Sequence, residues 1–108
     1  MRVLVTGAGG FLGQSIVRAL HGRGDEVCTL QRGEYPALSE LGVVINKGDI
    51  ANKDTVIQAS ENCDAIIHAA AKAGVWGDYQ DYYRSNVCGT LNVIDACKKN
   101  RIAKLVYT

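Results

Sequence analysis

Apolar runs and segments of helical periodicity alternate along the chain. Each apolar run is short and bounded by glycine or polar residues, which is typical of buried strands. Five strands are predicted on this basis, at residues 2–5, 26–30, 43–46, 64–68 and 104–107. Strands separated by helices form parallel β-α-β units with right-handed crossovers. The pattern therefore predicts an α/β protein with a doubly wound parallel sheet in the strand order 3-2-1-4-5.

Between these strands, apolar residues recur at helical spacing. Helices are predicted at residues 11–21, 36–41, 53–60 and 78–100, with a turn at 31–33 and a loop at 74–77. Asn52 is placed to cap the third helix. The longest helix is expected to bury one face, which carries Tyr82, Val87, Leu91, Ile94 and Cys97.

The last predicted strand is apolar and is followed by no turn or helix. We expect residues 1–108 to be one domain taken from a longer chain whose substrate-binding part is absent. One side of the strand is then uncovered, which predicts self-association through apolar surface.

Composition narrows the possible partners. A formal charge of +1 on 108 residues argues against a nucleic-acid surface, and no apolar stretch is long enough to span a membrane. We expect a cytoplasmic protein, and a homodimer remains open for the longer chain. The four cysteines lack C-x-x-C spacing, which indicates reduced thiols rather than a metal site.

Residues 6–13, TGAGGFLG, carry the most specific chemical signal. They follow a strand and begin a helix, and this order forms a phosphate cradle in which helix N–H groups face the anion. The spacing is G-x-x-G-x-x-G, because leucine stands where the common dinucleotide motif has its last glycine. A purely structural glycine turn is the competing interpretation. The candidate binding residues here are Gly7, Gly10, Phe11, Leu12 and Gly13.

The residues after the second strand bear on which dinucleotide binds. NAD-binding folds usually place an acidic residue there to hold the ribose 2′-hydroxyl, but this chain has Gln31 followed by Arg32. A guanidinium can bind a 2′-phosphate, so we expect NADP(H) to be preferred over NAD(H). Glu34 would reverse the preference if it reached the ribose.

Four segments in this order resemble the extended short-chain dehydrogenase/reductases, the NAD-dependent epimerase/dehydratase superfamily. They are TGAGGFLG at 6–13, KGDI at 47–50, HAAA at 68–71 and YYRSNVCGT at 82–90. The resemblance implies a Rossmann-type fold and adds cofactor-binding residues beyond the turn: Asp49, Ile50, Ala69, Ala70, Ala71 and Asn86. Taken alone, Asp49 could cap a turn, the alanines could serve packing, and Asn86 could lie on the surface. His68 is interpreted as structural.

The stretch AAKAGVWG at 70–77 resembles the 3β-hydroxysteroid dehydrogenase branch and its bacterial relatives that act on β-hydroxy or β-keto acids. The resemblance implies an oxidoreductase acting on a 3-hydroxy or 3-keto group of a steroid-like or fatty-acid-derived substrate. A sugar-nucleotide epimerase or dehydratase and a non-catalytic NAD(P) redox sensor are the alternatives. The family's catalytic Ser and Tyr-x-x-x-Lys do not occur at matching positions, so we expect no catalytic residue here and no turnover by these 108 residues.

Overall fold

The computed structural model describes residues 1–69 and 84–108. Five parallel strands form one sheet in the order β3-β2-β1-β4-β5, which confirms the predicted α/β class and strand order. In chain order the elements are β1 Arg2–Thr6, α1 Phe11–Gly22, β2 Glu26–Gln31, α2 Pro36–Ser39, β3 Val44–Lys47, α3 Lys53–Ala59, β4 Ala65–His68, a π-helical turn Arg84–Cys88, α4 Gly89–Lys99 and β5 Lys104–Tyr107.

The centre of the sheet is β1, which is buried on both faces. Val3 and Val5 pack with Val17 of α1 on one side, while Leu4 packs with Val93 of α4 on the other. Successive side chains of a strand point to opposite faces, so an unbroken apolar run suits a strand covered by helices on both sides. The strand order reverses direction at β1, and open α/β sheets bind ligands at the carboxyl edge beside such a point.

Hydrogen bonds define element ends that differ slightly from the prediction. Gln31 was predicted in a turn but is the last residue of β2, paired with Lys47, because its carbonyl accepts the Gly48 N–H at 2.9 Å. The helix α2 is shorter than predicted, and a turn with Gly42 at φ +77° follows it. Asn52 caps α3 as predicted, accepting the Thr55 N–H at 3.2 Å. The predicted loop at 74–77 and the start of the last helix lie outside the described residues.

The buried face of α4 is not the predicted one. Gly89, Val93 and Ala96 are buried, whereas Leu91 is 55% exposed and Val87 and Ile94 also face outward. Small residues allow α4 to approach closely: a Cβ on Gly89 would lie 2.9 Å from Cγ2 of Ile50. Cys97 packs against the core as expected, and Tyr82 lies outside the described residues.

Exposed apolar side chains therefore lie on the π-helical turn, on α4 and on the edge strand β5. We call this set the α4–β5 surface, and its members are Val87, Leu91, Ile94, Leu105, Val106 and Tyr107. Exposed apolar side chains favour association when they meet on a second copy. No helix in the described parts of the chain is long and apolar enough to cross a membrane.

We predict that the 108-residue chain self-associates as its concentration rises and that Leu91→Glu weakens this association at least several-fold. The reason is that a carboxylate on the exposed face of α4 must be desolvated when two copies meet there. Light scattering after size-exclusion chromatography measures the mass. Gln58→Glu, which adds the same charge on exposed α3, is the matched control and should associate like the parent. A strict monomer at every concentration would contradict the prediction.

Candidate functional site

The turn between β1 and α1 is held by three backbone features. Gly7 has φ +67°, a left-handed conformation that favours glycine. Its N–H donates to the Leu30 carbonyl at 2.9 Å, and its own carbonyl accepts the Gly10 N–H at 3.2 Å. A Cβ on Gly13 would lie 2.0 Å from the Gly7 oxygen, so α1 rests directly on the turn. The glycine spacing thus serves a tight turn and close helix packing together.

The N-terminus of α1 opens above this turn. Gly10 is the N-cap, and within the described residues α1 has neither a side-chain cap nor an acidic residue in its first turn. The N–H groups of a first helical turn lack intrahelical partners and carry partial positive charge. The side chains of Phe11, which is 93% exposed, and Leu12 project outward. At these two positions the candidate contribution to binding is therefore the backbone N–H group and not the side chain. The arrangement suits an anion.

Two further side chains shape the turn, and sequence reasoning missed both. The Tyr35 ring lies against Gly9, where an added Cβ would come within 2.2 Å of Cε2, and it also lies close to Gly33. Gln14 Nε2 donates to the Gly9 carbonyl at 2.9 Å. The adjacent glycines at 9 and 10 were the available signal that something packs closely there.

A cleft of about 610 Å³ lies beside the ends of β2 and β3. Gln31 lines it, is only 6% exposed, and its Oε1 has no hydrogen-bond partner among the described residues. Lys47 Nζ pairs with Glu34 Oε1 at 3.3 Å across the cleft. Arg32 is exposed and forms no ion pair with the described part of the chain. The cleft therefore has one acceptor without a partner among the described residues, Gln31 Oε1, and the exposed Arg32 follows Gln31 in the chain without lining the cleft.

Asp49 and Ile50 follow β3 at the same edge of the sheet. Asp49 Oδ1 accepts the Ala51 N–H at 2.9 Å, which is the turn-capping role weighed as an alternative for this residue. The Ile50 side chain is buried in the core, and its carbonyl accepts Asn92 Nδ2 at 3.0 Å. Its side chain is thus committed to packing, which leaves the backbone N–H for any ligand contact.

A chain of hydrogen bonds runs from β1 through His68 to the π-helical turn. Thr6 Oγ1 lies 2.7 Å from His68 Nδ1, and His68 Nε2 lies 3.3 Å from Thr90 Oγ1. Thr90 Oγ1 donates to the Asn86 carbonyl at 2.7 Å, and Thr6 Oγ1 accepts the Ala69 N–H at 3.1 Å. These directions assign the neutral imidazole with its proton on Nε2.

Burial lowers the pKa of His68, in agreement with the neutral form. Its partners fix the end of β1, the backbone of Ala69 and the half-buried Asn86 relative to one another. His68 is thus a positioning residue beneath the site, as the structural interpretation expected. Ala70 and Ala71 lie outside the described residues.

The family is decided by comparison with known proteins. Residues 3–108 match the NAD dependent epimerase/dehydratase family. The chain belongs to this family. The resemblance carried by the four sequence segments is thereby confirmed.

Members of the family with related sequences include reductases and dehydrogenases. The chain is 48% identical over 108 residues to a 2-alkyl-3-oxoalkanoate reductase of Stenotrophomonas maltophilia, covering 100% of this chain and 33% of that protein. It is 37% identical over 116 residues to a 3-beta-hydroxysteroid dehydrogenase of Mycolicibacterium neoaurum, covering 99% and 31%. The chain thus spans about a third of the length of these relatives.

A solved family structure shares the fold closely. The UDP-glucose 4-epimerase of Thermus thermophilus, in complex with NAD, superposes with a TM-score of 0.85 at 34% identity. The match covers 97% of this chain and 36% of the epimerase.

The residues present fit the family's dinucleotide. The uncapped first turn of α1 suits a pyrophosphate, and the nearest atom to a Cβ on Gly10 would be the Gly7 oxygen at 3.6 Å, so that face is open. The buried Oε1 of Gln31 has no hydrogen-bond partner among the described residues, and a ribose hydroxyl is a donor of the kind it lacks. The described residues contain no group of three or more side chains that could hold a metal ion.

Proposed function

We propose that the chain is the dinucleotide-binding part of an NAD(P)-dependent reductase that acts on a 3-oxo or 3-hydroxy group of a fatty-acid-derived or steroid-like substrate. The observation that carries the proposal is the uncapped N-terminus of α1 above the Gly7 turn. The names of the reductase and steroid dehydrogenase relatives support the substrate class. The reduced nicotinamide dinucleotide supplies a hydride when it is bound.

Each part of the site has a distinct task in this proposal. The first-turn N–H groups of α1 hold the pyrophosphate, and Gly7 and Gly13 keep the helix close to it. Gln31 and Asp49 lie at the ends of β2 and β3, where they contact the adenosine half. Ala69 and Asn86 are joined through the His68 network and support the nicotinamide end.

Three measurements on the longer protein test this function. With NADPH, we expect reduction of a 2-alkyl-3-oxoalkanoate, monitored by the loss of nicotinamide absorbance. The same protein carrying Gly13→Ala is the control and should lose this activity. A protein that interconverts UDP-sugars with no net change in nicotinamide absorbance would instead be an epimerase, the second candidate, which the likeness to the Thermus enzyme favours.

We further propose that the site prefers NADP(H). Gln31 places no negative charge beside the ribose, and Arg32 is exposed with no ion-pair partner in the described residues. Glu34 was the residue that could reverse this preference. Its carboxylate pairs with Lys47, which keeps its charge away from a 2′-phosphate.

Arg32→Ala is therefore expected to weaken NADPH binding by about 10- to 100-fold, because a charge-assisted hydrogen bond contributes about 1.5–3 kcal/mol. NADH binding should change less than about twofold, since the 2′-hydroxyl carries no charge for Arg32 to neutralise. Calorimetric titration of the chain with both dinucleotides measures the two constants.

The matched control is Arg18→Ala, which removes an equal charge from an exposed position on α1. It should leave the ratio of the two binding constants as it is in the parent. Tighter binding of NADH by the parent, together with unchanged NADPH binding in Arg32→Ala, would refute the preference.

A further inference from the structure

A tight turn joins β3 to α3 at the carboxyl edge of the sheet. The Asn52 N–H donates to the Asp49 carbonyl at 2.9 Å, and Asp49 Oδ1 accepts the Ala51 N–H at 2.9 Å. Neither bond uses the carbonyl of Ile50, a residue in the middle of the turn that is only 6% exposed. Buried carbonyl groups are normally hydrogen-bonded, so this one needs a donor from elsewhere in the fold.

The helix α4 supplies that donor. Asn92 Nδ2 donates to the Ile50 carbonyl at 3.0 Å, although 42 positions separate the two residues in the chain. Gly89 lies three residues earlier and therefore on the same face of α4. A Cβ on Gly89 would come within 2.9 Å of Ile50 Cγ2 and 3.2 Å of Cγ1, so the helix touches the side chain as well. The helix thus holds both the backbone and the side chain of Ile50, and with them the turn.

A second asparagine makes a similar contact at the other end of α4. Asn100, the C-cap residue, donates through Nδ2 to the Ile57 carbonyl at 2.9 Å and to Ser60 Oγ at 2.8 Å. Both acceptors belong to the C-terminal end of α3, whereas the Asp49 turn comes just before its first residue. Asn92 therefore holds the end of the β3–α3 unit that lies at the candidate site, and Asn100 holds the end away from it.

The turn also presents two groups that remain available to a ligand. The Oδ2 atom of Asp49 and the N–H of Ile50 have no hydrogen-bond partner among the described residues. Consecutive residues thus offer an acceptor and a donor. Adenine carries the complementary pair on one edge, because its 6-amino group donates and its N1 accepts. Hypoxanthine presents the reverse, a 6-oxo acceptor and an N1–H donor.

We propose that Asn92 is a positioning residue that sets the selectivity of the dinucleotide site for adenine. This rests on the proposed function, in which Asp49 contacts the adenosine half of the cofactor. Asn92 acts through Ile50 and does not itself contact the base. Its amide fixes the turn, and the fixed turn keeps the acceptor and the donor in register with the edge of adenine.

The test compares NADPH with its deamino analogue, nicotinamide hypoxanthine dinucleotide phosphate. Calorimetric titration of the parent should give at least about tenfold tighter binding of NADPH, because the analogue loses a hydrogen bond to a carboxylate. In Asn92→Ala this ratio should fall to less than about threefold, chiefly through weaker binding of NADPH. An undiminished ratio in the folded variant, or a parent that binds both dinucleotides equally, would overturn the proposal. A parent that binds neither would refute the proposed function itself.

Asn100→Ala is the matched control. It removes an amide hydrogen bond between the same two helices, at the end away from the site. Denaturant unfolding should show that both variants lose stability, but Asn100→Ala should keep the parent's ratio of the two binding constants. A ratio that falls equally in the two variants would trace the effect to a general loss of packing and would rule out a specific role for Asn92.

Amide hydrogen exchange tests the hold on the turn with no ligand bound. The Asn52 N–H, which is paired with the Asp49 carbonyl, should exchange at least about fivefold faster in Asn92→Ala than in the parent, because local opening becomes easier. In Asn100→Ala it should exchange at the parent's rate. Full protection of this amide in Asn92→Ala would show that the turn does not depend on the asparagine, and the positioning role would be lost.

Discussion

Gly13→Ala is expected to destabilise the chain by about 1–3 kcal/mol, the usual range for forcing an extra carbon into a packed site. The added Cβ would lie 2.0 Å from the Gly7 oxygen and 2.8 Å from the Ala8 Cα, and both are backbone atoms. The Gly7 carbonyl is held by the Gly10 N–H, so α1 must move instead. Denaturant unfolding measures the loss of stability.

Dinucleotide binding should suffer more than stability, because moving α1 carries its first-turn N–H groups away from the pyrophosphate. We expect the affinity for NADPH to fall more than tenfold, which corresponds to more than about 1.4 kcal/mol. Calorimetric titration under conditions where the variant remains folded separates this loss from unfolding.

Gly22→Ala is the matched control at the other end of the same helix. A Cβ on Gly22 would meet nothing within 4 Å, and its φ is not in the left-handed region. Alanine there should leave NADPH binding unchanged and stabilise the chain by about 0.4–1 kcal/mol, because it restricts the unfolded state. Equal losses in the two variants, or unaltered binding in Gly13→Ala, would show that close packing at Gly13 is not required.

The strand order was predictable because the strands are apolar runs and a helical segment separates each run from the next. The run Val3-Leu4-Val5 is buried on both faces, and an unbroken apolar sequence is what such a strand requires. The glycine turn was predictable for a related reason: a strand, glycines and a helix in this order leave few possible geometries.

The buried face of α4 was not predictable from apolar periodicity. That signal gives weight to large side chains such as Leu91 and Ile94, whereas the contact with α3 and β4 uses the smaller Gly89, Val93 and Ala96. Which of two apolar faces is covered depends on how closely the helix axis approaches its neighbours. Small residues allow the helix axis to come close to its neighbours. They add little to the hydrophobic periodicity from which a buried helix face is predicted.

Parts of the candidate site depend on the path of loops in space. Tyr35 contacts Gly9 although many residues separate them, and no local pattern links the two positions. The burial of Gln31 Oε1 without a partner among the described residues is also a property of the folded chain, because a sequence does not show which side-chain atoms the fold encloses. Sequence reasoning identified Gln31 by its position after a strand, without its burial.

His68 is expected to make stability fall as the pH is lowered below about 6.5, the ordinary value for histidine. Burial lowers its pKa in the folded chain, so the unfolded chain takes up the proton first. The stability that neutral His68 contributes is therefore fully present above the pKa of histidine in the unfolded chain. It is lost as the pH falls from there toward the lower pKa of His68 in the folded chain. One proton gives a slope of up to about 1.4 kcal/mol per pH unit.

The hydrogen bonds give this loss a structural cause. Nδ1 accepts a hydrogen bond from Thr6, whose oxygen already accepts the Ala69 N–H. A proton on Nδ1 would turn that acceptor into a second donor facing Thr6. The network linking β1 to the π-helical turn would then break at its centre, so we expect acid to weaken dinucleotide binding through the same titration.

His68→Gln removes the titrating group and should flatten the dependence of the unfolding free energy between about pH 5 and 7, a window set by the ordinary histidine value. The substitution also loses hydrogen bonds worth about 1 kcal/mol each, so the variant should be less stable than the parent at about pH 8. His21→Gln, at the exposed end of α1, is the control and should retain the parent's pH dependence. If His68→Gln kept that dependence and His21→Gln lost it, the acid sensitivity would belong to the surface histidine and His68 would be excluded as its source.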